Sequence, residues 1–444
     1  MNKMQIKKFE VLGLFGTDNV SIPFDDDNIK ILVGENGLGK TQILNLFYYT
    51  LTTDFFRLNE FNFSKLKLYF SNDKSIEIPK SQIRELVEII YENPFVKDLI
   101  DEIGYSQFEM LRNKFRYDSN NFSNYLNKVI LSSKSKYLRY KELKRIFEDS
   151  DRLFNPFFDE RKKIIKNELQ KTEILYFPTY RRIEKELYNQ EYVEDDFNMN
   201  EENTLIRFGM DDVKRRFNFV QNKINKHLKE GLAQFTKDIL IVVIDNEQAS
   251  ESLNDIYQKI NESDIDIILS RVGDLLPNVQ KDAVKNIVAN KEIKNRLSLH
   301  LLQKLVDIYE KQKEQDQSVK LFRDICNKYL IDKKVFYDES NIKIDIKSDR
   351  THEELDLKYL SSGEKQIISM FSKVYLSDSD KRFIVLFDEP ELSLSMLWQK
   401  QLLPDILNSK KCDLLLAVTH SPFIFDNELD KYAVGLNEYI KPLN

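Results

Sequence analysis

Cysteine is nearly absent from this chain: only Cys326 and Cys412 occur in 444 residues, far apart and in no metal-ligand spacing. That scarcity excludes a disulfide framework and a cysteine-built zinc site, and it fits reduced thiols in a cytoplasmic protein. The histidines His227, His300, His352 and His420 form no ligand cluster either. No apolar run approaches the ~18 residues of a membrane helix, and the N-terminus lacks a secretory hydrophobic segment. A soluble, cytoplasmic protein with no membrane partner is expected. No excess of basic charge exists: 67 Lys and Arg face 73 Asp and Glu, a net charge of −6. That balance argues against a wholly nucleic-acid-binding surface and leaves room only for a local basic groove. With 32% charged and 41% hydrophobic residues the composition is that of an ordinary globular protein, long enough for a large core.

What stands out is one stretch near the start, Ile31-Leu32-Val33-Gly34-Glu35-Asn36-Gly37-Leu38-Gly39-Lys40-Thr41. Ile31 to Val33 reads as a buried strand, and Gln42–Leu51, with apolar Ile43, Leu44, Leu46 and Phe47, reads as a helix. Between them lies G-x-x-x-x-G-K-T, the phosphate-loop pattern in the strand–loop–helix setting it requires. Gly34, Gly37 and Gly39 let successive N–H groups converge on one centre at the positive end of a helix. Gly34, Asn36, Gly37, Gly39, Lys40, Thr41 and Gln42 are therefore the candidate ATP-binding residues. Lys40 is expected to reach the terminal phosphates, and the Thr41 hydroxyl to ligate Mg²⁺.

Gln5–Leu14 and Val20–Phe24 read as strands joined by a turn, and Leu66–Phe70 with Ser75–Ile78 as a hairpin. Residues 1–79 are thus expected to form a mainly β lobe carrying the phosphate loop. Residues 80–333 change character: glycine is sparse, Lys and Glu interleave, and helical periodicity dominates Arg161–Lys171, Met210–Phe235, Ala283–Leu302 and Leu305–Lys328. No heptad persists long enough for a long coiled coil. One segment interrupts the helices: Glu173-Ile174-Leu175-Tyr176-Phe177-Pro178-Thr179-Tyr180-Arg181-Arg182 reads as a core strand near 173–182. Arg181 at its end is a candidate phosphate contact. Val335–Tyr337 and Ile342–Ile346 form a hairpin opening the C-terminal lobe, residues 334–444.

Three motifs follow in that lobe. Tyr359-Leu360-Ser361-Ser362-Gly363-Glu364 opens a helix, and serine with glycine at a helix N-terminus is suited to an anion. Phe383–Phe387 is fully apolar and delivers Asp388 and Glu389 to the carboxyl edge of a sheet, where ligands bind. Asp388 suits Mg²⁺, and Glu389 suits orienting or deprotonating the attacking water. A third apolar strand, Asp413–Val418, ends in Thr419-His420-Ser421-Pro422. There His420 can hydrogen-bond a γ-phosphate or the attacking water.

Together these motifs resemble the ABC-type, AAA-family ATPase heads of the group that includes SMC, RecF and OLD proteins. Leu360-Ser361-Ser362-Gly363-Glu364 is similar to their signature motif, with Ser362 in place of the first paired glycine and Glu364 in place of the usual glutamine. Glu389 matches the catalytic glutamate and His420 the switch histidine. The resemblance implies an α/β fold, a P-loop head with a mixed sheet interrupted by a large mainly helical insertion. It implies an ATP sandwich, in which Ser361, Ser362 and Gly363 of one subunit close over ATP and Mg²⁺ held by another, so that homodimers of heads, and even-numbered oligomers of them, are expected. Catalysis would fall to Glu389, His420 and Lys40, and Mg²⁺ to Thr41 and Asp388. No glutamine matches the family's coupling loop.

Glu389-Pro390-Glu391-Leu392-Ser393-Leu394, followed by Trp398-Gln399, is similar to the branch of bacterial anti-phage defence ATPases that includes OLD nucleases and the ATPase subunits of Septu and PARIS systems. Ser395 stands where that branch commonly carries histidine. Only residues 421–444 follow His420, so no fused Toprim nuclease is expected. The resemblance implies an ATP-driven sensor subunit controlling a separate effector nuclease, HNH in Septu or Toprim-type in PARIS, with a phage-encoded trigger. The alternative is an SMC/RecF-type DNA repair ATPase, using basic patches such as Lys141–Arg145, Arg161–Lys166 and Lys214–Arg216. A membrane-transporter subunit fits poorly, because the helical insertion is far too large.

Overall fold

The computed structural model describes residues 6–25, 27–35, 37–91, 94–104, 108, 156–170, 172–178, 210–245, 262–272, 277–290 and 296–443. The chain divides into two compact units, residues 1–206 with 381–444 and residues 207–380.

The first unit is built on two sheets. Its strands are β1 (Ile6–Leu14), β2 (Asp18–Pro23), β3 (Ile29–Val33), β4 (Lys65–Phe70), β5 (Ser75–Pro79), β6 (Thr172–Phe177) and, from the C-terminal part, four more. The second unit contributes the hairpin β7 (Lys333–Asp338) and β8 (Lys343–Ser348). The four are β9 (Arg382–Asp388), β10 (Cys412–Thr419), β11 (Ala433–Gly435) and β12 (Ile440–Pro442). One sheet is antiparallel, in the order β12-β2-β1-β4-β5. Its long strands alternate buried with mostly half-buried residues, as sheets with one core face do. The other is parallel throughout, in the order β11-β3-β10-β9-β6. Its strands are continuous apolar runs, with Phe383 to Phe387 fully enclosed, because both faces are covered.

Register in the parallel sheet decides where the site stands. Thr419 of β10 pairs with Val33 of β3, and Val418 pairs with Asp388 of β9. The carboxyl ends of the three strands therefore open on one edge. The helix Lys40–Leu51 follows β3, with Ile43, Leu44, Leu46 and Phe47 fully buried. Asn45 on this helix accepts a hydrogen bond from the Tyr176 hydroxyl of β6 at 2.8 Å, both groups buried.

Among the described residues the second unit is helical apart from its hairpin. The helices Met210–Asp245 and Arg296–Cys326 pack against each other. A Cβ on Gly231 would lie 2.6 Å from Ile308, so only glycine permits their close approach. The helical reading of Met210–Phe235 holds, and the helix runs on to Asp245, because Thr236–Asp245 contains no glycine or proline to stop it. The periodicity of 283–328 divides differently: one helix, Asn278–Ala289, ends at Asn290, a poor helix former, and the next runs unbroken from Arg296 to Cys326 through Gln303-Lys304. Inside this unit Arg271 pairs with Asp316 at 2.7 Å, both side chains 1% exposed, and Gln312 accepts from the guanidinium at 2.6 Å.

In the first unit one buried cation organises the turn before β4. The Lys80 ammonium donates to the carbonyls of Leu58 (3.0 Å), Asn59 (2.6 Å) and Phe61 (2.8 Å). Lys80→Met keeps the apolar stem and orphans these acceptors. We expect a loss of about 2–3 kcal/mol, read as a lowered urea midpoint.

Candidate functional site

The phosphate loop leads from β3 into the helix at Lys40. Gly39 caps that helix with φ +80°, and a Cβ there would come 2.9 Å from the Phe15 ring. Conformation and space both demand glycine at this position. Lys40, only 5% exposed, folds back over the loop. Its Nζ donates to Gly34 O at 2.6 Å and Glu35 O at 2.9 Å, and lies 2.7 Å from His420 Nε2. A charged lysine in that contact makes Nε2 the acceptor and leaves the imidazole proton on Nδ1. Burial lowers the Lys40 pKa from its ordinary value, against the opposing pull of Glu389, Asp388 and Glu391. Gln42, half-buried, sits in the first turn of the same helix.

The acid pair meets this loop from β9. Asp388, 1% exposed, ends the strand and accepts a hydrogen bond from Thr41 Oγ1 at 2.9 Å. Glu389 turns sharply away with φ +51°, a left-handed conformation uncommon outside glycine, and its N–H donates to Val418 O at 2.9 Å. Its Oε1 lies 3.5 Å from His420 Nε2. Lys40, Thr41, Asp388, Glu389 and His420 are thus gathered at one sheet edge from three strand ends distant in sequence.

These residues fit MgATP. A loop of backbone amides at a helix N-terminus suits phosphate, and the ammonium suits its charge. Thr41 Oγ1 and the Asp388 carboxylate are adjacent hard oxygens, the donor type Mg²⁺ takes alongside phosphate oxygens. Among the described residues no group of three or more His, Cys, Asp or Glu forms a protein-only metal site. Burial pushes the Cys412 thiol up to about 12 and raises that of Cys326 well above its ordinary value, which disfavours the reactive thiolate at both.

Asn36 and Arg181 lie outside the described residues. Ser361, Ser362 and Gly363 belong to the second unit, at the start of the helix Ser362–Tyr375. There the helix N-terminus already has its own partners. Ser361 Oγ accepts from the Glu364 N–H, and the Glu364 carboxylate accepts from the Ser361 N–H at 2.7 Å. Lys333 of β7 donates to both Glu364 oxygens at 2.8 Å. Two residues close to the first site received no role from the sequence: Glu391, whose only signal was its place in Asp388-Glu389-Pro390-Glu391, and Gln399, which bonds to Ser421.

The Glu364 pair makes a pH prediction. Burial raises the carboxyl's pKa, but Lys333 and the Ser361 amide outweigh it and hold the value below the usual 4.5. A depressed carboxylate adds stability above its unfolded pKa and loses it as pH falls through the folded one. Lys333→Met should therefore cost about 2 kcal/mol at pH 7, with the gap to the parent closing towards pH 3 in denaturation curves.

A family model described as an AAA ATPase domain matches residues 4–425. No curated protein matches the chain. Solved structures similar to it include an SMC head bound to the C-terminal winged-helix domain of ScpA, at 11% identity and TM-score 0.35, covering 94% of this chain and 90% of that one. A second is the Pyrococcus furiosus SMC head with an extended coiled coil and the C-terminal domain of ScpA, at 11% and 0.36, covering 99% and 96%. A third is the Pyrococcus yayanosii SMC head with coiled coil and joint, at 14% and 0.35, covering 99% and 97%. Those scores are too low to add weight, whereas the family match spans nearly the whole length. A chain that carries a phosphate loop and its acidic partners at one sheet edge, and matches over residues 4–425, belongs to the family of AAA ATPase domains.

Proposed function

We propose that this protein is the ATP-binding and ATP-hydrolysing sensor subunit of a bacterial anti-phage defence complex, working as a switch over a separate effector nuclease. The observation that carries the ATPase part is the convergence of Lys40, Thr41, Asp388, Glu389 and His420 within hydrogen-bonding distances. The defence part rests on the likeness of Glu389–Leu394 and Trp398-Gln399 to the PARIS and Septu branch.

In this reading ATP enters over the glycine loop, and Lys40 exchanges the carbonyls of Gly34 and Glu35 for the terminal phosphates. That exchange frees His420 Nε2, and the tautomer with its proton on Nε2 then donates to the γ-phosphate. Glu389 then orients the attacking water and takes up its proton. Mg²⁺, held by Thr41 and Asp388, would neutralise charge on the phosphates. Ser361, Ser362 and Gly363 of a second head would close over the γ-phosphate, so ATP acts as the glue of a head dimer.

An SMC/RecF-type DNA clamp draws less support. In the patch Lys214–Arg216, Lys214 pairs with Asp356, and both Arg215 and Arg216 pair with Asp212. Arg161 spends its guanidinium on the carbonyls of Glu77 and Phe157. Lys141–Arg145 lies outside the described residues.

Lys40→Ala removes the phosphate-facing charge and should weaken ATP binding by about 100-fold or more in a fluorescent-nucleotide titration. Glu389→Gln should keep ATP affinity within a few-fold while kcat falls by about 100-fold or more, because ground-state contacts survive and water activation does not. The defence reading is tested by purifying tagged Glu389→Gln protein with ATP from its native gene neighbourhood and weighing the particle by native mass spectrometry. An even-numbered assembly holding a nuclease-sized second protein is expected. A bare dimer carrying DNA overturns the reading in favour of the clamp.

A further inference from the structure

Glu391 is the third carboxylate of the acidic loop, and the chemistry above gives it nothing to do. Its Oε1 accepts the backbone N–H of His420 at 2.8 Å and that of Ser421 at 3.2 Å. Its Oε2 is shielded from solvent and makes no hydrogen bond to a described residue. The sheet explains why those amides need an acceptor. β10 ends at Thr419, so His420 and Ser421 are the first residues beyond the parallel ladder. Thr419 Oγ1 offers a second acceptor, at 2.9 Å, to Ser421 only.

The loop that carries Glu391 is held at several further points. Glu389 and Ser393 both take left-handed φ angles, +51° and +69°. Such strain persists in non-glycine residues only where surrounding contacts over-determine it. Gln399, in the helix Met396–Leu407, donates to Leu394 O at 3.0 Å and Glu391 O at 3.4 Å. Its Oε1 accepts the Ser421 hydroxyl at 2.6 Å. The acid loop, the end of β10 and the start of the next helix are therefore fastened to one another through Glu391 and Gln399.

We propose that Glu391 is a positioning residue for His420. By holding the main-chain amides of 420 and 421, it fixes the imidazole between Lys40 and Glu389, and Gln399 passes that placement on to the helix Met396–Leu407. His420 Nε2 sits 2.7 Å from Lys40 Nζ and 3.5 Å from Glu389 Oε1, so a backbone shift of about 1 Å decides which group it serves. A carboxylate is suited to this task because charge strengthens both N–H···O bonds while the second oxygen stays out of the chemistry.

This inference rests on His420 acting on the γ-phosphate or the attacking water. Its test is a double-mutant cycle on steady-state ATP hydrolysis, with nucleotide Kd measured alongside. Glu391→Ala should lower kcat at least about tenfold and leave the Kd of a fluorescent ATP analogue within about threefold. Glu391→Gln, whose amide oxygen still accepts both N–H groups, should stay within about threefold of the parent kcat. In a His420→Ala background, Glu391→Ala should cost less than about twofold more, since a positioning residue has nothing left to position. The proposal is overturned if Glu391→Ala hydrolyses at the parental rate. It is equally overturned if the losses simply add in the double variant, or if glutamine proves as damaging as alanine. A His420→Ala protein as fast as the parent sinks the role of His420 itself, whereas additive losses in a His420-dependent enzyme sink only that of Glu391.

Discussion

Everything at the site depends on three apolar parallel strands that lie in register. Pairing of Thr419 with Val33, and of Val418 with Asp388, brings a phosphate loop, an acid pair and a histidine to one edge although hundreds of residues separate the loop from the other two. The register is robust because these strands are buried on both faces, where sliding one along another would draw charged ends into an apolar core. Asp388 is the sharpest case. It closes a run of five enclosed apolar residues and is itself 1% exposed, so its carboxylate is tolerable only beside Thr41 and the nearby Lys40 ammonium.

Lys40 shows how the protein stores a cation for a polyanion. Its charge is divided among two carbonyls of its own loop and an imidazole nitrogen. None of these is a full negative charge, so phosphate is a better partner than any of them. The acids Asp388, Glu389 and Glu391 oppose the effect of burial on Lys40. The site is balanced towards exchange, with ligands waiting at hydrogen-bond distance and none bound irreversibly.

The second unit handles charge differently. Arg271 bonds to both Gln312 and Asp316 in a buried network to which the Tyr337 hydroxyl also donates, leaving Asp316 Oδ2 without a hydrogen bond to a described residue, and Glu364 is clasped by Lys333 and by the helix it caps. Glutamate at 364 adds a negative charge at the start of a helix suited to anions, and Lys333 offsets it. Ser361 and Gly363 therefore stand on a helix end whose electrostatics depend on Lys333, from a strand earlier in the chain.

Much of this was legible in the residues themselves. The phosphate loop declares itself through its glycines, Lys40 and Thr41 between a strand and a helix, because backbone curling and phosphate charge leave few other solutions. The runs Phe383–Phe387 and Asp413–Val418 announce buried parallel strands, since only enclosure on both faces explains so little polarity. Helix ends were poorly legible: at Gln303-Lys304 and beyond Phe235 nothing local stops the helix, and periodicity marks a face rather than a terminus. Contacts between segments distant in sequence could not be read at all. That Lys40 leans on His420, that Lys333 serves Glu364, and that Glu391 holds the amides of His420 and Ser421 follow from where strands end relative to one another. The sequence by itself determined the chemistry available, through residue type and local spacing; tertiary structure alone decided which groups meet, because strand register and burial, not adjacency in the chain, set those distances.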